Sequence, residues 1–203
     1  MPTLALPELD GPVTIVLDRE DRLTDDEYFD FCMANRDLQI ERTAEGDIVI
    51  APPAGFESDN RSADIAGQLM VWSKATRKGK SSGSSAEFLL NDGSALSPDA
   101  AWTSNERLAS VPADELRKFP RFAPEFVVEV MSHSDRSRAA QRKMQQWIDN
   151  GVELAWLIDG SHRCVSVYRS GRDVRKVCDV EQIEGEGPVE GFVLDLSDIW
   201  RGV

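Results

Sequence analysis

The sequence predicts an α/β fold with a mixed central β-sheet and helices on its faces. Three observations predict it. Phe126-Val127-Val128 and the run from Val152 to Ile158 are near-continuous apolar stretches of strand length, the pattern of strands covered on both faces. Between them Ala140, Met144, Trp147 and Ile148 recur at helical spacing, which makes a strand–helix–strand unit. The order along the chain is helix, hairpin, helix, hairpin, strand, helix, strands, as expected of helices layered on a sheet. A chain of 203 residues suits one domain and can bury a core without disulfides or a structural metal. The expected division is an N-terminal extension and helix over residues 1–36, packed on a core domain over residues 37–203.

The elements follow in order. Residues 1–12 are proline-rich and extended. Thr24-Asp25-Asp26-Glu27 is a capping box that opens a helix to about Asn35. Asp37 to Thr43 and Asp47 to Ala51 flank Ala44-Glu45-Gly46 as a hairpin. A helix from about Asp59 to Thr76 buries Ile65, Leu69 and Trp72, with Lys74, Arg77, Lys78 and Lys80 clustered at its C-terminal end. Ser84 to Leu90 and Ala95 to Thr103 flank Asn91-Asp92-Gly93, a second hairpin whose second arm carries Asp99. Short helical turns fill 104–120. Glu125 to Met131 is a strand, a helix runs from about Asp135 to Asp149, and Gly151 ends it. Val152 to Ile158 is the next strand. Val165 to Arg169 and Val174 to Val180 pair as outer strands, and Phe192 to Trp200 closes the chain as an apolar tail.

Composition narrows the function. The net charge is −13, which argues against a nucleic-acid binder until its distribution is read. Residues 1–59 carry −11 and residues 179–203 carry −6, whereas residues 60–178 carry +4. The middle of the chain, where the motifs lie, is therefore mildly basic. Cys32, Cys164 and Cys178 have no metal-ligand spacing and are expected as reduced, buried thiols. The N-terminus lacks the pattern of a signal peptide, and no run approaches the ~20 apolar residues of a membrane span. The expectation is a soluble, cytoplasmic protein.

The chemistry rests on two acids set in apolar runs: Asp99 in Ser97-Pro98-Asp99-Ala100-Ala101-Trp102, and Glu129 in Phe126-Val127-Val128-Glu129-Val130-Met131-Ser132. An acid in such a run is costly to bury unless something pairs with it or binds it. Hard oxygen donors suit Mg²⁺, with Mn²⁺ as a substitute, and a metal held by Asp99, Glu129 and the carbonyl of Val130 would activate water against a phosphodiester. Lys143, on the following helix, can orient the nucleophile or neutralise developing charge. Arg136 and Gln146 share its helical face. Glu57 and Asn60 are auxiliary candidates, set against helix capping by Ser58, Asp59 or Asn60. His133 can titrate near the site, and Ser132 and Ser134 cap the next helix. No nucleophile-elbow, Walker or Rossmann motif occurs.

These residues resemble the Uma2 family, also called DUF820, of the PD-(D/E)XK nuclease superfamily. The resemblance is carried by Pro98-Asp99-Ala100-Ala101-Trp102, Phe126 to Ser132, Lys143-Met144, Asn150 to Asp159, Val167-Tyr168-Arg169 and Gly191 to Leu196. It implies a restriction-endonuclease-like core with Asp99 and Glu129 as metal ligands. It also implies a departure: the superfamily's lysine lies two residues after the acid, where this chain has Met131, and the family supplies it from the next helix, here as Lys143. The reading that follows is a Mg²⁺-dependent endonuclease acting on DNA, with a homodimer as the simplest means of cutting two strands. The alternative is a nuclease-fold binding or assembly module, weak or inactive in catalysis. An RNA substrate shares the chemistry, since no base-reading motif is visible.

Overall fold

A computed structural model describes residues 12–131 and 137–202. The expected start of the helix after Glu129, and the positions of Ser132, His133, Ser134 and Arg136, lie outside the described residues, as do residues 1–11. In chain order the elements are β1 (Val13–Ile15), α1 (Asp25–Ala34), β2 (Gln39–Arg42), β3 (Ile48–Ala51), α2 (Phe56–Thr76), β4 (Gly79–Gly83), β5 (Phe88–Leu89), β6 (Ala95–Leu96) and β7 (Ala100–Ser104). There follow α3 (Asn105–Ala109), β8 (Phe126–Val130), α4 (Ser137–Asp149), β9 (Leu154–Asp159), β10 (Cys164–Arg169), β11 (Arg175–Cys178), β12 (Gln182–Glu184), β13 (Val193–Asp195) and α5 (Ser197–Arg201).

The apolar run of β8, a helical crossover and the apolar run of β9 build the centre. β8 and β9 pair in parallel, which requires the crossover through α4. They form the middle of a six-stranded sheet, ordered β11-β10-β9-β8-β7-β4, whose other pairs are antiparallel. Strand alternation then sends side chains to two cores. Trp102, Phe126, Val128 and Trp156 pack with Ile65 and Leu69 of α2 on one face. Ala101, Val127, Ala155 and Leu157 pack with Met144 and Trp147 of α4 on the other. Gly79 opens β4 directly against Trp102. A Cβ there would meet the Thr103 carbonyl oxygen at 2.3 Å and the Trp102 ring at 2.6 Å, so only glycine fits.

A second sheet, ordered β1-β3-β2-β6-β5, is antiparallel throughout and carries α1. The capping box of α1 is present: Thr24 Oγ1 accepts from the Glu27 amide, and Glu27 Oε2 accepts from the Thr24 amide at 2.9 Å. Tyr28 and Cys32 of α1 share a buried cluster with Ile40 of β2 and Ile48 of β3. The boundary drawn at residue 36 thus falls between elements of one cluster.

Three local readings change. The expected second hairpin divides: β5 and β6 pair in the smaller sheet, and the chain then crosses at Ser97-Pro98-Asp99 to begin β7 in the larger one. β4 went unread because Gly-Lys-Ser-Ser-Gly has no apolar alternation; it is an edge strand held by its ladder to β7. α2 begins at Phe56 with Gly55 as N-cap, three residues before the expected start and without a capping side chain.

Cys164 and Cys178 are a further correction. They stand directly opposite across the β10–β11 pair and form a disulfide, while Cys32 is a buried free thiol. Adjacent strands placed together two cysteines that no sequence motif links. Among the described residues no helix is long and apolar enough to cross a membrane.

Beneath α1 lies a buried polar knot. The Tyr28 hydroxyl donates to Glu87 Oε1 at 2.5 Å, and Arg42 lies over the Tyr28 ring while bonding Asp25 at 2.5 Å and the Gly93 carbonyl at 3.0 Å. Burial pushes the Glu87 carboxyl up to about 8, against the Tyr28 hydrogen bond and with help from Glu41. The folded state therefore keeps a proton that the unfolded chain releases above its ordinary 4.5, and stability falls as pH rises from 4.5 to 8. Glu87→Gln keeps an acceptor for Tyr28 and removes this linkage. Urea unfolding at pH 5 and pH 8 should show a shallower loss of stability in the variant than in the wild type. Equal losses in the two proteins would show that Glu87 does not hold the proton.

Candidate active site

The β7–β8 register pairs Ala100 with Val128 and Ala101 with Val127. Continued by one residue, it brings Asp99 level with Glu129. Asp99 and Ala101 share one side of the pleat, as do Glu129 and Val127, so both acids belong to the α4 side of the sheet. The Val130 amide donates to Asp99 Oδ2 at 2.7 Å, which fixes that carboxylate beside the β8 backbone.

Helix α4 returns over this face and delivers Lys143 and Trp147, one helical turn apart. The Trp147 indole N–H donates to Glu129 Oε1 at 2.8 Å. The Lys143 ammonium lies 2.9 Å from Glu129 Oε1, 2.9 Å from Glu41 Oε1 and 3.0 Å from the Ser97 carbonyl oxygen. Glu41 Oε1 in turn accepts the Ser97 amide at 3.0 Å. Glu41, Ser97, Asp99, Glu129 and Lys143 line a cavity of about 440 Å³, with Glu87 and Pro98 also in its wall.

Charge in the cavity is unbalanced. Burial pushes the Glu129 carboxyl up to about 7; Lys143 opposes the shift, while Asp99 and Glu41 reinforce it. Burial also disfavours the Lys143 ammonium, but Glu129 and Glu41 outweigh it and hold the group well above the ordinary lysine range. Lys143 is thus a fixed cation, and its one charge does not offset the surrounding carboxylates. That surplus is an environment for a further cation. Oxygens from Asp99 and Glu129, on adjacent strands, are the hard donors that a magnesium ion takes while keeping much of its water. Among the described residues no set of three or more His, Cys, Asp or Glu side chains comes together as a fuller cage.

The structure brings Asp99, Glu129, Lys143 and the Val130 backbone together. It does not bring Glu57. Glu57 bonds Arg61 at 2.5 Å, and Arg61 also donates to the Ile199 carbonyl at 2.9 Å, on the helix that covers the opposite face of the sheet. Asn60 is exposed on that same helix. The expected helix is present, beginning at Phe56, and its face is set by the packing of Ile65 and Leu69, which turns both residues away from the cavity. Sequence reasoning missed Glu41 and the polar role of Trp147. Glu41 sits in an ordinary alternating strand, where Ile40 and Arg42 are the buried neighbours, and Trp147 reads as helix core. A signal for Glu41 existed only in the pairing of β2 with β6, which leads directly to Ser97.

Comparison with known proteins agrees with this architecture. Residues 25–197 match the model of the Uma2 family, described as "Putative restriction endonuclease". Among curated proteins none matches. A crystal structure described as a "putative nuclease belonging to DUF820", from Anabaena variabilis ATCC 29413, is similar with a TM-score of 0.68 and 18% identity. The similarity covers 88% of this chain and 98% of that one, and it establishes the shared nuclease fold. With the family model spanning most of the sequence, the chain belongs to the Uma2 family.

Proposed function

We propose that this protein is a Mg²⁺-dependent endonuclease that hydrolyses DNA phosphodiester bonds, with Mn²⁺ as an alternative metal. The observation that carries the reading is the convergence of Asp99, Glu129 and Lys143 on one cavity, although Lys143 comes from a different element than the superfamily's usual lysine. Asp99 and Glu129 would hold the metal, with the Val130 carbonyl as a third donor. The metal would lower the pKa of a bound water and draw charge from the phosphodiester.

The chain's own groups do the rest. The Val130 amide and the Trp147 indole orient the two carboxylates before any ligand arrives, so little reorganisation is needed. Lys143 stays protonated through the neutral range and offers its ammonium to the attacking water or to the charge that builds on phosphate oxygens. Glu41 and the Ser97 carbonyl hold that ammonium in place, and would still do so with the Glu129 oxygen given to a metal.

One observation favours a second reading. Lys143 already has two carboxylates and a carbonyl around it, and Met131 cannot supply another charge. A nuclease-fold binding or assembly module would have the same geometry without turnover. A homodimer, which would present two sites to two strands, accompanies the first reading; light scattering at working concentration should give twice the mass of the chain.

Two experiments separate the readings. Supercoiled plasmid incubated with Mg²⁺ or Mn²⁺ should be nicked by the wild type, and Glu129→Ala should lose at least about 10²-fold in rate. Folded, metal-binding wild type that leaves the plasmid intact with both metals would favour the module. Thermal unfolding tests the metal site without turnover. At a hundredfold excess over its Kd, Mg²⁺ should add about 2.7 kcal/mol, several degrees for a chain of this size, and Asp99→Ala should abolish the rise.

A further inference from the structure

We propose that a single nucleic-acid strand leaves the Asp99–Glu129 cavity along a second cleft at the β4 edge, with its phosphates on Lys80 and Arg117 and a base against Phe119. The inference rests on the reading above, that the cavity acts on nucleic acid, and adds the path by which the substrate is held.

The β4–β7 register pairs Lys80 with Thr103 and Ser82 with Ala101. Alternation therefore places Lys80 and Ser82 on the same face of the sheet as Asp99 and Glu129. Lys80, Ser82, Thr103, Arg117 and Phe119 line a cleft of about 400 Å³. Met33, Ser85, Glu87 and Phe119 line both this cleft and the acidic cavity, so the two adjoin. From Asp99 to Thr103 the path along β7 is about 13 Å. β4 is the last strand of its sheet, which leaves the cleft open at that side among the described strands.

The charges divide along this path. The inner end holds Glu41, Asp99 and Glu129 around the single ammonium of Lys143, where a metal would meet the scissile phosphate. The outer end holds cations. Lys118 is engaged by Asp26 at 2.7 Å and lies over the Phe29 ring. Lys80 and Arg117 are exposed and make no ion pair among the described residues. They are the groups available to flanking phosphates. Phe119 is partly exposed and braced edge-on by Phe29 at 5.1 Å between centroids, a firm apolar wall for a base. Cavities of this size suit small ligands, so one strand fits rather than a duplex.

The test is binding of a fluorescent single-stranded DNA oligonucleotide, followed by anisotropy across a salt series with Ca²⁺ in place of Mg²⁺. Each phosphate contact on a single strand contributes about 0.7 to the slope of log affinity against log salt. The double variant Lys80→Ala/Arg117→Ala should lower the slope by about 1.4 and bind more weakly at low salt. Arg172→Ala/Lys176→Ala removes the same charge at the opposite end of the sheet and should leave the slope unchanged. Phe119→Leu should weaken binding about fivefold or more. Equal slopes in wild type and Lys80→Ala/Arg117→Ala, or an equal loss in both double variants, would overturn the path and leave the nuclease reading intact. Wild type that nicks plasmid but binds no single-stranded oligonucleotide would overturn the path alone. Wild type that shows the Mg²⁺-induced thermal rise yet neither nicks plasmid nor binds the oligonucleotide would overturn the nucleic-acid reading, and the path with it.

Discussion

The Lys143 ammonium contacts Glu129 on β8, Glu41 on β2 and the carbonyl of Ser97, where the chain crosses between sheets. Through these contacts α4, the larger sheet, the smaller sheet and their crossover meet at one charge. Burying carboxylates together costs several kcal/mol per ion unless a counter-charge and hydrogen bonds offset it. Lys143 supplies the counter-charge, and Trp147, Val130 and the Ser97 amide supply hydrogen bonds. The position of α4 over the sheet thus matters as much as the acids themselves.

The offset is incomplete, and that incompleteness is what the metal-dependent reading rests on. Glu129 is held near neutrality in its titration because burial and two neighbouring acids outweigh one ammonium. A site fully neutralised by the protein would have no electrostatic demand for a metal. This one has an electrostatic demand and oxygen donors to meet it. Met131 stands at the position of the superfamily's usual lysine. It lies two places after Glu129, on the same side of the pleat, where a lysine would reach the carboxylate from the strand. Lys143 reaches the same oxygen from above.

Legibility in the sequence followed the strength of local signals. The runs of β8 and β9, the periodicity of α4 and the capping box of α1 are local, and each was read where it lies. Asp99 and Glu129 stood out because an acid in an apolar run is costly. Other features are tertiary. Gly79–Gly83 is a strand only because β7 pairs with it. The Asn91-Asp92-Gly93 turn did mark a hairpin, but the arm carrying Asp99 parts from it after two residues to join the other sheet. Glu41 is polar in an alternating strand, so nothing local distinguishes it from a solvated residue. Glu57 followed the opposite error, a chemically suitable side chain on a helix whose buried face points elsewhere. Cys164 and Cys178 became partners through strand register alone.

On the proposed reading, Lys143 does from the helix what a strand lysine does in the superfamily's usual pattern. The direct measurement is plasmid nicking by Lys143→Ala and by the double variant Met131→Lys/Lys143→Ala. The single variant should lose about 10²–10³-fold in rate while still binding metal, and the double should regain part of that loss. Nicking by Lys143→Ala at the wild-type rate would contradict the account.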